Sequence, residues 1–467
     1  MAGSGRNERS AVVLRADDGF GLPELPGTPV DERIFTATYY DTPQRRLERA
    51  GITLRRRMEN GKSVWELDLP RDPEHRTLEA AGGPAGPPPV LGRLLTGLVQ
   101  GGSLDEVRTV RTRRGGVRVS DDGANTAEVL VDVTAILDGR RVDREFTEIK
   151  VRPLAGDTGL ARSLAKKLRR AGAERVRAPA RSNGSNGSGT AAFKEMLARQ
   201  HARMLAHDPG VRLGDDPEDI HQLRVATRRL RALLRAARPY FEDDGPEGLR
   251  IELSWLADLL GAVRDLDVLI ERVRDERAVL DVAAQTGVAN VIDLLVAERE
   301  AARSRLLSAM RTKRYLRLLA RVEELAESPP TGGENVPVEK MARSEFKKLR
   351  TAASSLGPEP HDEELHRVRV RVKRARYAAE LAEGATGKRA SRFISKAKRL
   401  QDVAGDLQDA AVAEERLRVL VEQIELRGAA FAAGRLVERA LTRREQARAA
   451  FPEAWSQVEK AGSRAWN

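Results

Sequence analysis

At 467 residues the chain is too long for one compact core and is expected to form about two to four domains. Its composition, 33% charged and 40% hydrophobic with aromatics at only 4%, is that of a soluble, helix-rich protein. A net charge of +12 leaves nucleic acid, polyphosphate and acidic membrane surfaces open as partners, while the absence of cysteine excludes disulfides, thiolate nucleophiles and cysteine zinc sites.

Residues 1–20 show no apolar stretch after a basic start, and nowhere do about 18 uncharged apolar residues run together. Neither secretion nor membrane insertion is therefore expected, and the default address is the cytoplasm. Short alternating stretches follow at Thr36–Tyr40, Thr53–Met58, Ser63–Leu69, Thr109–Arg113, Gly116–Ser120, Glu128–Leu137 and Arg144–Val151. Turn signals such as Glu59-Asn60-Gly61 and Asp121-Asp122-Gly123 separate them, which predicts an antiparallel sheet or barrel. Pro84–Val90 reads as a loop and Gly159–Ala171 as a closing helix. The stretch Pro179–Thr190, dominated by Gly, Ser and Asn, has too little apolar surface to order itself. It is read as a linker, 179–190, between a domain at 1–178 and another at 191–467.

Beyond it the period is helical, over Ala192–His207, Pro217–Tyr240, Glu247–Ala278, Ala289–Glu327, Val338–Leu356, Asp362–Glu383 and Ser391–Glu425. Breakers at Pro239, Gly245-Pro246, Pro329-Pro330 and Gly357-Pro358 divide these runs. The expected class is α+β multidomain, a β domain followed by an all-α one.

Within the helical part, His221-Gln-Leu-Arg224-Val225-Ala-Thr-Arg228-Arg229-Leu-Arg231 recurs as His366-Arg-Val-Arg369-Val370-Arg-Val-Lys373-Arg374-Ala-Arg376. Farther on, Leu256-Ala-Asp-Leu-Leu-Gly261-Ala-Val-Arg264-Asp265 is echoed by Leu400-Gln-Asp-Val-Ala-Gly405-Asp-Leu-Gln408-Asp409. Two linked matches predict a duplicated bundle, with halves at about 191–330 and 336–467. At about 100° per residue, His221, Arg224, Arg228, Arg231 and Arg235 share an arc of about 80° opposite Leu223, Ala226, Leu230, Leu233, Leu234 and Ala237. In the second copy His366, Arg369, Lys373 and Arg376 lie opposite Val368, Ala375, Ala378 and Ala379, and Glu380 stands where Arg235 stood.

Like charges one turn apart repel by a few tenths of a kcal/mol per pair, so such a ladder calls for an anion. A solvated face with salt bridges is the bland alternative, and repetition of the face favours a ligand. A linear polyphosphate offers repeated oxygens to guanidinium forks, and counterion release adds to its affinity. Nucleic acid is the weaker partner, because only Tyr377 borders a stripe and no helix-turn-helix or zinc signature is present. The histidines are readable as phosphate donors, as pH-sensitive contacts or as helix-start residues. Asp219 and Asp362 are read as structural first-turn acids. No nucleophile pattern surrounds the histidines, so no catalytic residue, metal ligand or cofactor is assigned. Arg264-Asp265-Leu-Asp267 is read as helix–helix ion pairing rather than a metal site.

The repeated His-x-x-Arg-Val-x-x-Arg/Lys-Arg-x-Arg motif, with its following Leu-Gly-x-x-Arg-Asp-type segment, resembles the CHAD family over about residues 191–467. The resemblance implies two related helical bundles around a basic cavity that binds inorganic polyphosphate, and it leaves association with polyphosphate granules open. It also adds Lys396 and Arg399 to the cationic set formed by His221, Arg224, Arg228, Arg229, Arg231, Arg235, His366, Arg369, Lys373, Arg374 and Arg376.

The N-terminal part is similar to the CYTH, or triphosphate-tunnel, family at Thr38-Tyr39-Tyr40-Asp41-Thr42-Pro43, Gly51-Ile-Thr-Leu-Arg55-Arg56-Arg57 and Trp65-Glu-Leu-Asp68-Leu-Pro70. That likeness implies an antiparallel β tunnel whose active members hold divalent metal on an opening Glu-x-Glu-x-Lys strand. Anchored on Gly19-Phe20-Gly-Leu-Pro23, those positions are here Arg9, Ala11 and Val13. Asp68 replaces a lysine, and the late Glu-x-Glu strand reads Glu148-Ile-Lys150. A hard cation needs more oxygen ligands than these leave, so the domain is expected not to be an enzyme. The alternative is a triphosphatase or polyphosphatase keeping Glu128, Asp132 and Glu148. Arg55 with Arg57 and Arg111 with Arg113 alternate along strands, each pair either lining the tunnel for phosphate or facing outward.

Overall fold

The alternating N-terminal segments form strands, and the described pairings between them are antiparallel. The computed structural model describes residues 12–17, 19–70, 76–121, 124–139, 141–154, 158–175, 189–242, 245–278, 280, 282–328 and 336–466. Its sheet comprises β1 (Val12–Ala16), β2 (Gly27–Asp41), β3 (Thr53–Glu59), β4 (Lys62–Leu69), β5 (Arg76–Ala81), β6 (Asp105–Asp121), β7 (Ala124–Asp138), β8 (Arg141–Pro153) and β9 (Glu174–Arg175). The order is β5-β4-β3-β2-β6-β7-β8-β1-β9, an open ladder among the described residues rather than a closed ring.

Local chemistry accounts for the turns. Asn60 and Gly61 take left-handed φ values of 49° and 75°, the backbone of a two-residue hairpin that sets Glu59 opposite Lys62. The two stretches around Gly116 join into one long β6, because that glycine lets the strand pass close to β7: a Cβ there would lie 2.0 Å from the Val129 carbonyl oxygen. The Asp122-Gly123 turn lies outside the described residues. Four short or medium helices accompany the sheet, α1 (Arg46–Arg49), α2 (Pro89–Gly92), α3 (Thr96–Val99) and α4 (Thr158–Arg170). Helix α4 lays Ala161, Leu164, Ala165 and Leu168 on Leu14, Val129, Ile149 and Val151. The opposite sheet face carries charged side chains.

The chain divides into two compact units, Met1–Arg181 with Asp208–Leu213 and Ser182–His207 with Gly214–Asn467. The expected linker lies outside the described residues through 188, and Gly189 and Thr190 open a helix. The helices that follow are α5 (Gly189–Leu213), α6 (Pro217–Ala236), α7 (Gly245–Arg277), α8 (Val282–Met310), α9 (Lys313–Glu327), α10 (Val338–Ser354), α11 (Asp362–Thr386), α12 (Lys388–Gln423) and α13 (Arg427–Trp466). The run Ala289–Glu327 divides where Thr312 caps α9, its hydroxyl accepting from the Tyr315 amide at 3.4 Å. Residues 427–466, within the expected all-α domain though not among its named runs, bury Ala429, Ala432, Ala433, Leu436 and Ala440 at helical spacing against α8 and α12. Among the described residues no helix is long and apolar enough to cross a membrane.

The faces expected from periodicity are the ones observed. On α6, Leu223, Ala226, Leu230, Leu233 and Leu234 are fully buried, and on α11 Val368, Ala375, Ala378 and Ala379 are buried as well. Each burial removes apolar surface worth roughly 25 cal/mol per Å² and fixes which side of the helix remains for the cations. An edge-to-face chain of Phe346, Phe393 and Trp466 ties α10, α12 and α13 together.

Gly462 sits under that chain, and a Cβ on it would come within 2.1 Å of the Phe346 ring. Gly462→Ala is expected to destabilise the protein by about 1–3 kcal/mol through overpacking. Thermal denaturation checks it; an unchanged Tm would show that Phe346 yields freely.

Candidate functional site

Capping fixes where the two basic helices begin. Asp216 accepts from the Glu218 amide at 2.8 Å with Pro217 opening α6, while a capping box between His361 and Glu364 opens α11. Both helices bury their apolar sides, and α6 packs against α11. The basic stripes therefore converge. Arg224 and Arg228 from one helix meet Arg369 and Lys373 from the other, in a cluster close enough that each charge disfavours the next. Burial, then Arg228, Arg369 and Arg224, with Asp409 opposing, hold the Lys373 amine at a pKa of about 7, far below its ordinary 10.5.

Two carboxylates share the site, at matching positions of the second pair of motifs. Asp265 lies 3.3 Å from Arg224, and Asp409 lies 3.2 Å from Arg272. Arg224 also donates to the Ala257 carbonyl at 3.3 Å, its guanidinium lying over Gly261, where a Cβ would meet it at 2.3 Å. Burial raises the Asp265 carboxyl above its usual range, and Asp409 adds to this against Arg224, Arg369 and Arg228. Asp267 takes Arg299 at 2.7 Å, so the Arg264–Asp267 segment serves ion pairing.

The histidines differ. His221 is half-buried, and its pKa is lowered by burial first, then by Arg264, Arg203 and Arg228, against Glu218. His366 is exposed, with Nδ1 2.8 Å from the Gln408 side-chain oxygen. Gln408 occupies the position that matches Arg264, so the second copy has lost a cation there. Asp219 in the first turn of α6 holds His207 at 2.8 Å, and Asp362 opens α11 bonded to Arg444 and Arg448.

Around this centre, Arg231 and Arg235 extend the α6 stripe toward Arg374 and Arg250. Arg229 turns toward Arg203 on α5. Arg376 is bonded to Glu380 and to Gln401, the latter at 3.1 Å. Lys396 and Arg399 do not join the cluster, contrary to expectation. Lys396 donates to Gln457 on α13 at 3.0 Å, and Arg399 projects about 160° around α12 from the Gln401 that meets Arg376. Sequence reading missed Arg203 on α5 and Arg272 on α7, which lie outside the repeated motifs, and it read Arg264, inside the second motif, only as ion pairing.

On the β sheet, register sorts the arginines. Arg55 and Arg57 pair across β2 with Tyr39 and Ala37, whereas Arg111 and Arg113 pair with Thr36 and Ile34, one residue out of phase. Arg111 and Arg113 thus point, exposed, to the opposite face from Arg55 and Arg57, and one tunnel face does not hold both pairs. The face of Arg55 and Arg57 instead carries Arg114 and Lys150. Glu66 takes Arg55 at 2.5 Å and Arg57 at 2.6 Å; Asp132 takes Arg114 at 2.6 Å and Lys150 at 3.1 Å. Phe35 lies between Arg57 and Arg114, their guanidinium carbons 5.9 and 5.3 Å from its ring centre. Burial raises both carboxyls, but Arg55 and Arg57 at Glu66, and Arg114 and Lys150 at Asp132, outweigh it and leave each below its usual range. Glu128 reaches Arg118 at 3.3 Å and Glu148 reaches Arg15 at 3.8 Å. Arg9 and Ala11 lie outside the described residues, and Val13 pairs with Lys150. Among the described residues no group of three or more metal-ligating side chains is placed to hold an ion.

Comparison with known proteins matches residues 12–181 to the CYTH domain and residues 195–418 to the CHAD domain. The chain is 30% identical over 428 residues to the uncharacterized protein Rv2226 of Mycobacterium tuberculosis, covering 82% of this chain and 81% of that one. The CHAD domain from the plant Ricinus communis aligns with a TM-score of 0.50 at 26% identity, over 61% of this chain and 96% of that chain. A Hippeastrum protein with a dominant triphosphatase activity aligns at 15% identity and a TM-score of 0.25, over 36% of this chain and 91% of that one. The CYTH match overturns the expectation that the N-terminal domain is not an enzyme. That expectation stood on a few motif positions, whereas Glu66, Asp132, Arg55, Arg57, Arg114 and Lys150 keep acidic and basic groups together on one sheet face.

Lys373 supplies a stability test. Its folded pKa is depressed, so the unfolded chain binds more protons between about pH 7 and 10.5, and the penalty is complete below pH 7 and fades toward 10.5. Lys373→Met is expected to stabilise the ligand-free protein by about 1 kcal/mol after screening is discounted, with the gain largest at pH 6 and smallest near pH 10. Denaturant titrations at the two pH values measure it, and a gain that grows with pH would contradict the burial of the charge.

Proposed function

We propose, because the chain belongs to the family that joins a CYTH domain to a CHAD domain, that its helical domain binds inorganic polyphosphate between the paired basic helices. The observation that carries this reading is the convergence of Arg224, Arg228, Arg369 and Lys373, in excess over Asp265 and Asp409. Phosphate oxygens at a short repeat satisfy several guanidinium and ammonium donors at once, and each contact releases a counterion. Bound anion also lifts the suppressed pKa values of Lys373 and His221, so the site takes up protons as it fills. Nucleic acid is less well served. Tyr377, the aromatic beside the second stripe, is buried under Arg376 and presents no stacking surface for a base.

For the N-terminal domain the supported reading is an activity on tri- or polyphosphate at the face bearing Arg55, Arg57, Arg114 and Lys150. Glu66 and Asp132 orient those cations, and the cations bind the substrate oxygens. Release of phosphate from tripolyphosphate, measured with and without magnesium or manganese, is expected and should fall at least about tenfold in Asp132→Ala, which unties Arg114 and Lys150. No release under any of these conditions would remove this reading.

Titration with long-chain polyphosphate should show binding that weakens by about a hundredfold or more when Arg224, Arg228, Arg369 and Lys373 are all changed to Ala, with a shallower salt dependence. Affinity should rise as pH falls from 8 to 6, because Lys373 and His221 are protonated more fully in the complex than in the free protein. Displacement by DNA at equal phosphate concentration, or an affinity indifferent to the four substitutions, would sink the polyphosphate reading.

A further inference from the structure

The two matching basic helices end differently. Beyond the central cluster, Arg235 lies among Arg374, Arg250 and Arg231, and Arg374 in turn lies beside Arg371 and Arg250. Burial first, and then these neighbours, lower the pKa values of Arg235 and Arg374, opposed by Glu247 at the first and Glu345 at the second. Both glutamates already have partners, Glu247 in Arg250 and Glu345 in Lys348 at 2.6 Å. The Arg250 Nε is buried and has no hydrogen-bond partner among the described residues. The Glu345 Oε2 is likewise buried without a hydrogen-bond partner among the described residues, so this end of the groove holds arginines in excess of carboxylates with one donor and one acceptor left over.

The matching positions of the other copy are filled differently. Glu380 stands in place of Arg235, and the buried Ala226 stands in place of Arg371. Arg376, the match of Arg231, is committed to Glu380 and Gln401. Along α6, Arg224 and Arg235 are separated by about 16 Å of helix rise, so a ligand reaching both must be extended.

We propose that Arg231, Arg235, Arg250, Arg371 and Arg374 form an exit subsite for a polyphosphate chain, at one end of the groove only. The groove is thus polar. A chain is held at the centre, stops against the Arg376–Glu380 pair and runs out over the arginine end, so that affinity grows with chain length. This rests on the polyphosphate reading of the central cluster.

The test uses the full chain with two ligands, tripolyphosphate and a polymer of about a hundred phosphates. The double variant Arg250→Gln, Arg371→Gln should leave tripolyphosphate binding within about twofold. It should weaken the long polymer about tenfold, with a salt slope shallower by roughly one. A second variant, Glu380→Arg, removes the stop and should tighten the long polymer several-fold without changing tripolyphosphate. Equal changes for both ligands, or no change for the long one in either variant, would overturn the proposal alone. If the unaltered protein binds neither ligand, the polyphosphate reading falls and the exit subsite falls with it.

Discussion

Everything in the helical domain turns on the packing of α6 against α11. Hydrophobic burial on the far side of each helix, at Leu223, Leu230 and Leu234 and at Val368, Val372 and Ala379, leaves the basic stripes no other place than the cleft between them. The apolar faces supply several kcal/mol per helix at roughly 25 cal/mol per Å², against a few tenths of a kcal/mol for each repelling pair. Burial wins, and the repulsion persists in the folded state as an unmet demand for anions. Lys373 registers that demand most clearly, since its amine is held near neutrality between protonated and free.

Asp265 and Asp409 keep the demand from becoming destructive. They occupy matching positions one helix behind the stripes and take Arg224 and Arg272, so the guanidiniums are oriented before any ligand arrives. Gly261 belongs to the same device, because the Arg224 guanidinium fills the space a side chain would need. The second copy uses the same frame differently. Gln408 in place of Arg264 and Glu380 in place of Arg235 lower its charge, and nothing comparable to the Arg224 contact closes on Gly405.

Much of this was legible in the sequence because helices translate spacing into faces directly. The period of α6 and α11 placed Leu223, Ala226, Leu230, Leu233 and Leu234 and Val368, Ala375, Ala378 and Ala379 on the buried sides, with the stripes opposite, and the paired motifs pointed to Arg224, Arg228, Arg369 and Lys373 together. What spacing cannot supply is which side of a neighbouring helix looks into the cleft. Lys396 and Arg399 are close in sequence to Gln401, yet one turns to α13 and the other points away. Arg203, Arg250 and Arg272 carry no motif and enter the groove only through tertiary packing. On the sheet, the alternation around Arg111 and Arg113 was correctly periodic, but register decides the face, and the two stretches Thr109–Arg113 and Gly116–Ser120 left Arg114 between them. A one-residue phase difference separates exposed arginines from those that meet Glu66 and Asp132.

The two domains treat charge in opposite ways, which bears on what each suits. On the sheet, Glu66 spans Arg55 and Arg57, and Asp132 spans Arg114 and Lys150, so each carboxylate already satisfies two cations with short, charge-assisted bonds. A ligand entering there must exchange one anion for another at each paired cation. In the helical groove the carboxylates are fewer than the cations and more exposed, so added negative charge meets unsatisfied donors. Under the polyphosphate reading proposed above, such an arrangement would reward length, because each further phosphate would meet another cation instead of displacing an acid. The same residue types thus stand in different ratios of acid to base in the two sites, and the packing of each domain sets that ratio.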